Sequence, residues 1–250
     1  MIKLENICKS FGLKNVLDGV NLTVNEGEAF LLIGRSGAGK TVLLKNIMGL
    51  LRPDSGSIFI DGVDITKLDK QDFDQVRLKF GLVFQSAALF DFLTIEENVG
   101  FYLRHHTDMK VGEIRKKAKE TLALVGLEGI EDQYPYQLSG GMKKRVAIAR
   151  AIIYSPKILI YDEPTTGIDP IAVDKIVSLI QDLHYRLKIT SLVVTHDLEV
   201  GLKIAERLAF LLGGRIIFEG SKEDLKTNRD PRVHQFLMGS SAGPIKEMEV

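Results

Sequence analysis

Residues 34–41 read Gly-Arg-Ser-Gly-Ala-Gly-Lys-Thr and follow directly on the apolar run Ala29-Phe30-Leu31-Leu32-Ile33. No other stretch restricts the fold so strongly. A glycine, four residues and then Gly-Lys-Thr lets the backbone curl until successive N–H groups point into one concavity. The apolar run reads as a buried strand. The residues after the loop, Lys40 to about Leu50, place Val42, Leu43, Ile47 and Leu50 at helical spacing. The loop therefore sits at the positive end of a helix, where phosphate is held. Gly34, Arg35, Ser36, Gly37, Ala38 and Gly39 form the cradle. Lys40 is placed to reach the β- and γ-phosphates of a nucleotide, and the Thr41 hydroxyl is a hard oxygen donor suited to Mg²⁺.

The rest of the chain follows an α/β pattern. Short strands are expected over residues 2–7 and 15–33, with turns at Asp18-Gly19 and Glu26-Gly27, and over 57–60 and 81–84. From about 86 to 155 the pattern is helical, with helices expected at 96–106, 112–125 and 142–154. Alternation then returns: strand 157–161, helix 171–187, strand 190–195, helix 198–205 and strand 207–212. Such alternation predicts a parallel sheet, and the helical stretch reads as an insertion within one domain spanning 1–239. Residues 240–250 contain Gly and Pro and read as a loosely ordered tail.

Composition removes several function classes. Lysine plus arginine number 33 and aspartate plus glutamate number 33, so no net charge draws the chain to nucleic acid. The single cysteine, Cys8, excludes an internal disulfide and a cysteine metal cluster, and is expected to be a buried small residue. No apolar run approaches the ~20 residues that span a bilayer, and the first residues carry no secretory signal. The chain is expected to be cytosolic and to touch lipid only indirectly.

Ile158-Leu159-Ile160-Tyr161-Asp162-Glu163 is an apolar strand ending in two acids. The ends of parallel strands are where α/β proteins bind ligands. Asp162 is suited to hold Mg²⁺ through a water, and Glu163 to position the attacking water, which points to hydrolysis rather than transfer to another substrate. Gln85 and His196 also end expected strands. Gln85 could meet Mg²⁺ or the attacking water, and His196 could bond a γ-phosphate.

Leu138-Ser139-Gly140-Gly141-Met142 opens a further helix. On local physics it is either a second anion site or a plain serine cap with glycines; the residues alone fit both. With Arg145-Val146-Ala147-Ile148-Ala149-Arg150-Ala151 after it, the segment resembles the signature of ABC ATPases. The loop at 34–41, Gln85, Asp162-Glu163, Gly167-Ile168-Asp169 and His196 follow that family's order along nearly the whole chain. The resemblance implies a P-loop ABC cassette: a parallel RecA-like core, an N-terminal antiparallel β subdomain and an inserted helical subdomain. It implies that Ser139, Gly140 and Gly141 contact the γ-phosphate held by the other copy of a homodimer, with Asp169 at the dimer interface. It implies that Phe11 stacks on adenine, and that the ligands are ATP and Mg²⁺.

The sequence is more closely similar to the ATPases of the Mla group, which serve MCE-domain proteins in phospholipid transport. The residues that carry this are Ala88-Leu89-Phe90-Asp91, Leu93 to Val99, Arg104 to Asp108, Met142-Lys143-Lys144-Arg145, Glu163 to Ile171 and Asp230 to Gly239. Ile168 stands where that group usually has leucine, and Lys246 to Val250 depart from its pattern. The implied partners are an integral membrane permease, an MCE-domain protein and a small regulatory subunit, at the cytoplasmic face of the inner membrane. The apolar stretch Ala87 to Leu93 reads either as a groove for a permease helix or as core. The competing expectations are a small-solute or amino-acid importer and a soluble ABC protein acting on DNA or ribosomes.

Overall fold

Alternating apolar residues turn the first sixty residues into a sheet with one buried face. In the computed structural model, which describes residues 1–245, Ile2, Leu4 and Ile7 of β1 (Ile2–Phe11) are buried. So are Leu17, Val20, Leu22 and Val24 of β2 (Lys14–Val24). β1 and β2 form an antiparallel hairpin in which Ile2 faces Val24 and Phe11 faces Lys14. With β3 (Ala29–Ile33) set apart, β4 (Ser55–Ile60) pairs with the other edge of β1 and β5 (Val63–Asp64) with β4. The sheet order is β2-β1-β4-β5.

The chain divides into two compact units. The first joins residues 1–68 to those from 195 onward. Besides the antiparallel sheet it holds β3, all five residues of which are buried. Here β3 runs parallel to β9 (Arg207–Leu212), and β10 (Arg215–Ser221) returns antiparallel on β9. Burial on both faces explains why β3 is wholly apolar. Helix α1 (Lys40–Ile47) follows the 34–39 loop. Helix α7 (Leu198–Ile204) packs on β3 so closely that a Cβ on Gly201 would lie 2.5 Å from Leu31 Cδ2. Helices α8 (Lys222–Thr227) and α9 (Pro231–Leu237) end the unit. Gln235 of α9 bonds Ser240 and Ile245, and the expected tail beyond Ile245 lies outside the described residues.

The second unit spans 69–194. It contains α2 (Lys70–Arg77), β6 (Phe80–Val83), α3 (Ile95–His106), α4 (Val111–Leu124), α5 (Gly140–Ile152), β7 (Ile158–Asp162), α6 (Pro170–Leu187) and β8 (Thr190–Thr195). β6, β7 and β8 are parallel neighbours, with Phe80 beside Ile158 and Ile158 beside Thr190. α3 begins where Thr94 and Glu97 cap each other reciprocally, the Thr94 Oγ1 accepting from Glu97 N–H and the Glu97 carboxylate from Thr94 N–H. Glu96 and Glu97 in its first turn and Arg104, His105 and His106 in its last complement the helix dipole.

The expected helices and parallel strands are present, shifted by at most two residues at most ends. Among the labelled helices and strands, α2, β5, α8, α9 and β10 were not anticipated. In α2 only Phe73 and Val76 are apolar, too few for a visible period. α1 stops at Ile47 because Gly49 takes φ +58°, so Leu50 is 57% exposed instead of continuing the apolar face. Cys8 is half-buried rather than buried. It lies where the β1 register shifts, and its Sγ accepts from Gly19 N–H at 3.2 Å.

Candidate functional site

In the first unit the loop at 34–41 owes its shape to close backbone approaches. A Cβ on Gly34 would sit 2.5 Å from the Leu211 carbonyl oxygen, at the end of β9. Gly39 takes φ +103°, and a Cβ there would meet the Val16 carbonyl oxygen at 2.8 Å. Any side chain at either place would open the loop. Lys40 is buried; its Nζ donates to the carbonyls of Gly34 at 2.7 Å and Arg35 at 3.2 Å, so the ammonium lies inside the curl. Arg35, Ser36, Gly37 and Thr41 are exposed, Gly34, Ala38 and Gly39 buried. His196 follows β8 and is exposed; with Arg35, Leu198, Gln235 and Phe236 it lines an open pocket of about 500 Å³. Phe11, at the tip of the β1–β2 hairpin, is 51% exposed, with the Lys9 ammonium 5.7 Å from its ring centre. It is not a core aromatic.

In the second unit the two acids stand at the end of β7. Asp162 is half-buried and Glu163 is 8% exposed. Glu163 has φ +48°, a left-handed backbone uncommon for any residue but glycine. Its N–H donates to Val194 at 2.8 Å, its carbonyl accepts from Thr166 N–H and from the Lys144 ammonium at 3.3 Å each, and Thr166 Oγ1 bonds Oε2 at 3.3 Å. Asp169 caps α6, accepting from Ala172 N–H at 2.9 Å, and is exposed.

Ser139 caps α5, its Oγ accepting from Met142 N–H at 3.3 Å. Ser139 and Gly140 are exposed at that helix start. The glycines also serve packing: Cβ atoms on Gly140 and Gly141 would come within 3.3 Å of Ile168 and 3.0 Å of Ala172. The signature start and the Ile168–Ala172 corner therefore touch within one chain.

Gln85 follows β6 and is exposed. Sequence reading missed what holds it. Lys144 of α5 is buried, and its ammonium donates to the carbonyls of both Gln85 and Glu163. Burial lowers its pKa, opposed by the negative charges of Glu163 and Asp162. Arg150, one and a half turns further, donates to the carbonyls of Ala87 at 2.8 Å and Ala88 at 2.6 Å. Those alanines take φ +63° and +47°. Within the run Met142-Lys143-Lys144-Arg145 nothing distinguishes the buried lysine from its neighbours. Arg150, set between the buried Ala149 and Ala151, did carry a signal. Beyond this segment Phe84 and Phe92 are 42% and 77% exposed, whereas Ala87 is buried.

Residues 17–166 match the family described as ABC transporter. The chain belongs to the ABC transporter family. It is an ATPase cassette of that family. Over 98% of this chain it is 42% identical to the intermembrane phospholipid transport system ATP-binding protein MlaF of Haemophilus influenzae, covering 93% of that protein. It is 41% identical to the probable ribonucleotide transport ATP-binding protein mkl of Mycobacterium tuberculosis, again over 98% of this chain but 68% of that protein. Among solved structures, the ATP-binding cassette MJ0796, a dimer bound to ADP and Pi, superposes with a TM-score of 0.81 at 36% identity. It matches 88% of this chain and 98% of that chain. An ABC cassette needs no membrane span of its own, and among the described residues no helix is long and apolar enough to cross a membrane.

Among the described residues no group of three His, Cys, Asp or Glu gathers as a metal cage. Taken one by one, the Thr41 hydroxyl in the first unit and the Asp162 carboxylate and Gln85 amide in the second are hard oxygen donors, a chemistry that suits Mg²⁺ better than zinc.

Proposed function

We propose that this chain is the ATPase subunit of a phospholipid transporter of the Mla type, working as a homodimer on the cytoplasmic face of the inner membrane. The observation that carries this is the similarity to MlaF, which runs through nearly the full length of both proteins. The mkl similarity leaves about a third of that protein unmatched and so says less about shared task. Residues 1–239 are read as one cassette with a helical insertion at about 86–155. The partners are an integral membrane permease, an MCE-domain protein and a small regulatory subunit. Exposed Phe84, next to Gln85 in the chain, and exposed Phe92 supply apolar surface for the permease.

In this reading Phe11 stacks on adenine, its exposed face suiting it to that contact. The backbone of Gly34 to Gly39 surrounds the phosphates, and Lys40 turns from its own loop carbonyls to the β- and γ-oxygens. Thr41, Asp162 and Gln85 would hold Mg²⁺, which neutralises charge on the phosphates. Glu163 accepts a hydrogen bond from the attacking water and orients it in line with the γ-phosphorus. His196 donates to a γ-oxygen. The partner chain covers the γ-phosphate with the start of its α5, through Ser139, Gly140 and Gly141, and Asp169 lies at the dimer interface. A twofold arrangement follows, because each chain offers one cradle and one cover.

Isolation of the chain with its native membrane partners, followed by mass spectrometry, tests the transport reading. An MCE-domain protein and a permease are the expected companions. Capture of a soluble solute-binding protein instead would favour a small-solute importer and contradict the lipid assignment.

A further inference from the structure

The geometry points to Lys144 as a positioning residue for hydrolysis, a buried cation that holds the strained backbone of Glu163 and joins it to the segment carrying Gln85. This deepens the reading of Glu163 as the residue that orients water, and rests on it.

Glu163 adopts a conformation that is strained for any residue but glycine and persists only where its surroundings over-determine it. Its N–H is fixed by Val194 and its carbonyl by Lys144 and Thr166. Of these holders Lys144 also reaches the segment after β6: the same ammonium binds the Gln85 carbonyl. Lys144 lies on α5 barely a turn beyond the signature glycines. Arg150, on the same helix, grips the next two left-handed residues, Ala87 and Ala88. A displacement of the α5 start is thus carried by charge-assisted bonds to the backbone of Glu163 and to residues 85–88 together. The signature cover, Gln85 and the water-orienting acid move as one assembly. A carboxylate shifted by about an ångström loses most of its advantage in orienting water, which can cost ~10²-fold.

The test is steady-state ATP hydrolysis by the full chain carrying Lys144→Met, Lys144→Arg, Lys143→Met or Glu163→Gln, with thermal melting of each. Methionine keeps the stem without charge or donor; the carbonyls of Gln85 and Glu163 then lose that donor, so some loss of stability is expected and the melting curve separates it from the loss of turnover. For Lys144→Met the expected result is a kcat lower by about 10- to 100-fold, with KM for ATP within about threefold. Lys144→Arg, which retains donors, recovers turnover well above Lys144→Met, and Lys143→Met behaves as wild type. If Lys144→Met does not fold, Lys144→Gln is read against the same criteria. The proposal is overturned by a Lys144→Met kcat within about twofold of wild type, by kcat and KM worsening together, by arginine doing no better than methionine, or by an equal loss in Lys143→Met. Glu163→Gln separates the two levels. If it turns over normally, the reading of Glu163 fails and this proposal with it; if it is blocked while Lys144→Met is normal, the proposal alone fails.

Discussion

At the residue scale the proposed mechanism divides the work between Glu163, which acts on water, and Lys40, which acts on phosphate. Glu163→Gln removes the base and leaves the backbone ties of residue 163 in place, so ATP binding should persist while turnover falls by ~10²–10⁴. A variant with near-normal turnover would take Glu163 out of that role. Lys40→Ala removes the ammonium that lies within the loop. ATP affinity measured by calorimetry should drop at least tenfold, a change of about 1.4 kcal/mol; unchanged affinity would refute the placement. Tyr154 offers a test free of catalysis. Its hydroxyl donates to the Phe80 carbonyl at 2.6 Å, and burial pushes its pKa up to about 12. An acid whose folded pKa exceeds its unfolded value, near 10, stabilises fully below pH 10 and loses that contribution as pH rises toward 12. Tyr154→Phe should cost about 1 kcal/mol at neutral pH. It should also flatten the decline in urea stability between about pH 10 and 12. An unaltered alkaline slope would assign that decline to other groups. The residues legible in sequence were those whose partners are near in the chain: the 34–41 loop is eight consecutive residues with one job each. Lys144 was illegible because its partners lie 59 and 19 residues away, and lysine runs ordinarily face solvent.

At the scale of elements, helix starts set the chemistry. α1, α5 and α6 each begin at a residue assigned to nucleotide or interface, and Ser139 and Asp169 cap their helices with their own side chains. α3 is held differently. Asn98, fully buried, accepts from Phe90 N–H and donates to the carbonyls of Phe90, Leu93 and Thr94. One amide therefore organises the loop that precedes the helix. Asn98→Leu leaves these groups unpaired, and a loss of about 2–3 kcal/mol in urea unfolding is expected; a change under about 0.5 kcal/mol would be that of an ordinary surface site. The long helices and the wholly apolar strands could be read from spacing. α2, α8, α9 and β10 could not, since each is short and supports its fold through tertiary contacts rather than through periodicity of its own.

For the whole molecule, one chain carries both a phosphate cradle and an exposed, serine-capped glycine start, which a single nucleotide does not require. In the proposed homodimer, two copies related by a twofold axis use both. This division makes a complementation assay possible. A Lys40→Ala chain lacks a working cradle but keeps its cover. A Ser139→Arg chain keeps its cradle, while its bulky cover blocks the site it should close. Each variant alone should be nearly inactive. Mixed in equal amounts, half of the dimers pair unlike chains, and each such dimer has one intact composite site. Turnover near about a quarter of wild type is then predicted if sites act independently. A mixture as inactive as its parts would contradict the composite site, and with it the dimeric mechanism proposed for this ATPase.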